Sequence, residues 1–228
     1  AGVATSLSKI GHDWRILAHL REVEEPFESE QIGSSAMPYK RNPMRAERIC
    51  ALARHVIVLA QDPAFTAATQ WLERTLDDSA NRRVSIPDAF LALDGCLVLA
   101  ENVAKGLIVN PAVVEKNLAE HLPFMATETI LMHATARGGD RQDLHERMRK
   151  HSIAAATRLK RGSSESDLIQ CIAEDKAFDV SAEELEDLVD PNRFVGRAPE
   201  QVAQFLREQV TPMLERLGKN AEELQSTE

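Results

Sequence analysis

SSAMPYKRNPMRAER, residues Ser34 to Arg48, decides how this chain is read. Two serines, two prolines and two cations crowd its first ten residues, which denies the backbone a regular element there. A helix follows at once. Asn42 stands where an N-cap belongs and Pro43 where a first helical residue belongs, so the pattern predicts a helix from Pro43 to about Gln61, stopped by Asp62-Pro63.

Upstream, Ile10, Trp14, Leu17, Ala18 and Val23 recur at roughly three- and four-residue spacing and predict a helix over about 3–23, with a loop over 24–40. Downstream, Phe90, Leu93, Leu97, Val98 and Ala100–Val103 form the apolar stripe of a third long helix, about Ile86 to Leu107. These three rods are expected to form one bundle. Asn110-Pro111 repeats the helix-start signal, and shorter helices follow, so a domain boundary is expected there, giving 1–109 and 110–228. Ser181 and Glu184 spell a capping box, Asp190-Pro191 is expected to close that helix, and the last helices should run from about Glu200 to Leu217 before a tail that frays from Gly218.

Composition agrees with an all-α protein. Of 228 residues 43% are hydrophobic and only 4% aromatic, and Ala, Leu, Glu and Arg lose little rotamer freedom in a helix. A formal charge of −9 speaks against a nucleic-acid or membrane-surface binder. No apolar run is long enough to span a bilayer. Cys50, Cys96 and Cys171 are odd in number and widely spaced, which suggests neither a disulfide framework nor a zinc site and fits a reducing cytoplasm.

The loop before Pro43 carries chemistry of its own. Ser34 sits in a Gly-Ser-Ser context where successive backbone N–H groups can converge on an oxyanion, and Lys40 and Arg41 add positive charge. Such a set can stabilise a developing anion or lower the pKa of a serine hydroxyl until it serves as a base. An ordinary helix-leading loop with solvated cations has the same composition.

The order of the residues goes further. Gly33-Ser34-Ser35-Ala36-Met37-Pro38-Tyr39-Lys40-Arg41-Asn42-Pro43 resembles the signature loop of the fumarase/aspartase superfamily at every fixed position. The resemblance implies long helices from four subunits in a central bundle, active sites assembled from three chains, and elimination of fumarate from a succinyl-bearing substrate. It makes Ser34 the base, and it has Lys40 and Asn42 hold the carboxylate of the carbanion-like intermediate. Glu47 resembles the carboxylate that orients the general-acid histidine, and Arg48 a substrate contact. No cofactor or metal is implied.

A second constellation, Glu73-Arg74-Thr-Leu-Asp-Asp-Ser79-Ala-Asn-Arg-Arg83, resembles the segment with which adenylosuccinate lyases grip the nucleotide phosphate. Guanidinium forks suit phosphate oxygens, and Ser79 and Arg83 share a helical face. Argininosuccinate lyase and fumarase have no phosphate to hold. The stretches around Arg141 and His145, and from Gly196 to Val202, also resemble the C-terminal domain of that family, and Arg141, His145 and Arg197 are read as structural polar contacts. None of the seven histidines falls in the family's general-acid motif, so the chain is expected to be the C-terminal portion of such a lyase, acting as a homotetramer on a small nucleotide. Another lyase of the superfamily, or a non-catalytic helical oligomerisation module, is the alternative.

Overall fold

A computed structural model of the chain describes residues 1–27, 40–73, 75–163 and 165–218. The expected fraying tail beyond Gly218 lies outside the described residues. The chain forms two compact units, Ala1–Lys116 and Asn117 onward, the division falling within one helix.

The first unit is built on three long helices: α1 (Gly2–His19), α2 (Met44–Leu59) and α4 (Asp78–Gly106). Their side-chain contacts run antiparallel from α1 to α2 and from α2 to α4. Gly11 of α1 lies against Ala46, Ile49 and Cys50 of α2, and a Cβ there would come within 2.9 Å of the Cys50 sulfur. Glycine is what lets these two helices approach so closely. Cys96 of α4 donates to the Ile49 carbonyl (3.7 Å), while His55 and Asp88 meet at 2.7 Å. The core of this unit is Ala4, Leu7, Ile49, Ala53, Val56 and Cys96. A short α3 (Asp62–Ala68) links α2 to α4, and two residue pairs, β1 (Val23–Glu24) with β2 (Ile108–Val109), tie the opposite end in an antiparallel ladder.

Several expectations need correction. α1 ends at His19, and Val23 belongs to β1. Its buried face is Ala4, Leu7 and Gly11, whereas Ile10 is exposed, because small residues are what a close helix pair accommodates. Asp62-Pro63 opens α3 instead of closing α2, which already ends at Leu59; proline fits a first helical turn as readily as it ends one. α4 begins at Asp78, well before Ile86, and carries Pro87 inside it. Along α4 only Ser85, Cys96 and Val103 are buried, while Phe90, Leu97 and Val98 of the expected stripe remain exposed.

The second unit contains part of α5 (Pro111–Met125), then α6 (Thr127–Ala136), α7 (Arg141–Lys160), α8 (Leu168–Glu174) and α9 (Ala182–Leu188) around a core of Ile130, Leu144, Leu168, Ile172, Phe178 and Leu185. Ser181 and Glu184 form the expected capping box, and Asp140 caps α7 by accepting from the Gln142 and Asp143 amides. Asp190-Pro191 starts a 3₁₀ turn, Pro191–Phe194, and the last helical stretch runs Ala198–Phe205, through a π turn Leu206–Val210, to Thr211–Arg216. The side chains of Arg141, His145 and Arg197 are exposed and make no hydrogen bond or ion pair among the described residues. The polar contact expected of them is made further along α7 by Arg147 and His151, which both reach Asp175 (3.3 and 2.9 Å).

Candidate active site

The foot of the Ser34 loop is built where β1 meets the start of α2. Ser34 itself, and Arg74, lie outside the described residues. Glu24 is fixed by the β1–β2 ladder and accepts from Asn110 (3.4 Å) and Arg41 (2.7 Å). The Arg41 guanidinium also lies over the Phe27 ring, 4.8 Å from its centroid, a cation–π contact that joins both feet of the loop. Pro26 packs on Gly106, where a Cβ would come within 2.6 Å of it, and Arg45 donates to the Pro26 carbonyl.

One correction lies here. Asn42 does not cap α2: the N-cap position is Pro43, without a side-chain cap, and the helix starts at Met44. The amides of Arg45 and Ala46 donate instead to the Glu25 carboxylate (3.0 and 2.7 Å).

Lys40, Asn42 and Glu47 line one cleft of about 1150 Å³. Lys40 and Glu47 are exposed, Asn42 is half-buried, and the side chains of all three lack hydrogen-bond or ion-pair partners among the described residues. Such groups are disposed for a ligand. The opposite wall comes from α1: His12, Arg15 and His19. A smaller cavity of about 420 Å³ shares His12, Arg15 and Glu47 and adds Cys50 and Arg54. His12 Nδ1 lies 2.7 Å from the Ser8 carbonyl, which can only accept, so Nδ1 carries a proton. Sequence reasoning missed this wall. Its signal was the polar series His12, Arg15 and His19 at i, i+3 and i+7, which a search for apolar stripes passes over.

Arg48 is exposed on α2 and does not line that cleft. Ser79 and Arg83 come together at the other end of the unit, in the first turns of α4, where the Arg83 guanidinium donates to the Ser79 carbonyl (2.5 Å) and hydroxyl. Asn81 and Ser85 anchor this end to Asp62 of α3 (2.6 and 2.8 Å), and those two hydrogen bonds hold the Asp62 carboxyl below its usual range. A hydroxyl and a guanidinium in the first turns of a helix suit an anion. Gly106, at the far end of the 29-residue α4, touches the loop foot. At about 1.5 Å per residue, the Ser79–Arg83 set therefore lies on the order of 30 Å from Lys40, Asn42 and Glu47 of the same chain.

Residues 123–205 match the family model described as adenylosuccinate lyase C-terminus, and residues 1–58 match a lyase family model. The chain is 50% identical over 216 residues to adenylosuccinate lyase of Saccharomyces cerevisiae, covering 95% of this chain and 45% of that protein. It is 46% identical over 215 residues to the enzyme of the same name from Schistosoma mansoni, covering 94% and 45%. The chain is similar to the C-terminal part of adenylosuccinate lyases. It spans about half the length of the curated relatives it matches. Among solved structures it resembles 3-carboxy-cis,cis-muconate lactonizing enzyme from Pseudomonas putida, with a TM-score of 0.74 at 28% identity over 90% of this chain and 44% of that one. The fold is thus the all-α long-helix bundle of the fumarase/aspartase superfamily with a smaller C-terminal helical domain. Among the described residues no helix is long and apolar enough to cross a membrane.

Proposed function

We propose that this chain forms part of the active site of a cytoplasmic adenylosuccinate lyase that releases fumarate from adenylosuccinate to give AMP, and from the succinyl-aminoimidazole-carboxamide ribotide of purine biosynthesis. The observation that carries the proposal is the convergence of Lys40, Asn42 and Glu47, all from the signature segment, on one cleft. In the reaction Ser34 takes the proton from the carbon beside the succinyl carboxylate. The electron pair left behind forms the carbon–carbon double bond of fumarate as the carbon–nitrogen bond breaks, and an acid returns a proton to the leaving nitrogen. Lys40 and Asn42 hold the carboxylate on which charge grows and Glu47 orients the acid; Arg48, which lies outside the cleft of its own chain, contacts substrate at a site completed by another copy.

Arg74, Ser79 and Arg83 hold the nucleotide phosphate. A separation on the order of 30 Å within one chain is too great for a single small nucleotide, so the two ends meet at one site only when they come from different copies. Exposed Val84, Phe90, Leu91 and Val98 on α4 give such copies an apolar surface to share, and a homotetramer is the assembly we favour. Functionally we draw the domain line at the start of α5, with the bundle and its chemistry in 1–109 and the C-terminal helical domain in 110–228.

The test is fumarate release by the complete enzyme, followed by absorbance, with adenylosuccinate and with its dephosphorylated analogue. Arg83→Ala is expected to weaken binding of the phosphorylated substrate by about 1.5–3 kcal/mol, the size of a charged hydrogen bond, and to leave the analogue unchanged. Equal loss for both substrates would remove the phosphate role, and no fumarate from the unaltered enzyme would end the lyase reading.

A further inference from the structure

We propose that Glu25 is a positioning residue: by capping α2 from outside the helix it keeps the Asn42 amide free for the substrate carboxylate. The inference rests on the lyase reading and adds to it a residue that the signature motif does not contain.

The first N–H groups of a helix have no partner within it. Asparagine is among the side chains most prone to supply one, and Asn42 is placed to do so, one residue before Pro43 at the N-cap. In the structure it does not. The Asn42 carbonyl accepts from the Met44 amide (2.8 Å), whereas its side-chain amide makes no hydrogen bond among the described residues and faces the cleft beside Lys40. Glu25 takes the vacant role with both oxygens, Oε2 on the Arg45 amide and Oε1 on the Ala46 amide. Its backbone is held on each side: Glu24 in the ladder, and Pro26 between Gly106 and the Arg45 guanidinium. A carboxylate at a helix start also meets the positive end of the helix dipole. The cap is therefore strong and comes from a fixed platform.

Removing that carboxylate leaves two amides in search of an acceptor, and Asn42, one residue before the N-cap, carries a side chain suited to cap them. Once Asn42 caps the helix, its amide no longer meets the substrate carboxylate in the transition state. The fold keeps a cap, and the chemistry loses a hydrogen bond to a charged group.

In the complete enzyme, Glu25→Ala is expected to lower kcat about 10–100-fold, the equivalent of one hydrogen bond to a charged group, with little change in KM. Hydrogen exchange at the Arg45 and Ala46 amides should stay slow as Asn42 takes over. Adding Pro43→Ser, which gives the helix an acceptor at its own N-cap, should recover most of the lost kcat. Glu25→Gln, which retains one acceptor oxygen, should fall between the two and serves if the alanine variant does not assemble. A kcat within twofold of the unaltered enzyme, fast exchange at both amides in Glu25→Ala, or no recovery with Pro43→Ser would each overturn the proposal. Turnover by the unaltered enzyme, measured alongside, tests the lyase reading separately, and the exchange measurement needs no turnover at all.

Discussion

Ser34→Ala in the complete enzyme is expected to lower kcat by about 10²–10⁴-fold, the range over which a positioned base contributes to proton transfer. The hydroxyl is asked to act only as the carbon–hydrogen bond breaks, so substrate affinity should survive almost unchanged. Steady-state fumarate release gives both parameters, and light scattering checks that the assembly is intact. Near-normal turnover would mean that Ser34 is not the base, and the adjacent Ser35 would become the candidate.

Lys40→Ala should cost about 10²–10³-fold in kcat, the usual effect of removing one preorganised group aimed at developing charge. In the free chain the Lys40 amine is exposed and unpaired among the described residues, so the helices that position the site do not depend on it. The melting temperature should therefore stay close to that of the unaltered protein while turnover collapses. Lys40→Arg should not restore the rate, because a planar fork does not reproduce the compact point charge of an ammonium. A melting temperature that falls in step with activity would assign Lys40 to structure instead.

What could be read from the sequence was local. The helix start at Pro111 and the Ser181–Glu184 box depend on residues a few positions apart, and both stand where the pattern put them. The convergence of Lys40, Asn42 and Glu47 was legible as a motif, since one loop and the first turn of one helix carry all three. The cap of α2 was not, because its donor amides and the Glu25 carboxylate lie 20 and 21 residues apart, and no local rule joins them. The same rule that reads Pro43 as a helix start was read at Asp62-Pro63 as a stop, and proline permits either. In α4 the apolar residues were found but not their destination. Phe90 and Val98 look like core by spacing, yet within one chain Ser85, Cys96 and Val103 are the buried positions, and of these only Val103 lay on the expected stripe. Spacing identifies a face and leaves open whether the same chain or another copy covers it.

The central claim is that one active site joins the loop-foot end of one copy to the Ser79–Arg83 end of another. Lys40→Ala and Arg83→Ala damage opposite ends, so each homogeneous assembly should turn over poorly at substrate concentrations below KM. The deciding measurement is the fumarate-release rate after the two variants are dissociated together, mixed in equal amounts and reassembled. If each site draws its ends from different copies, the mixture should recover toward about a quarter of the unaltered rate, the random-mixing share of sites with both ends intact. A rate that stays at the mean of the two separate variants would place both ends in the same copy and contradict the account.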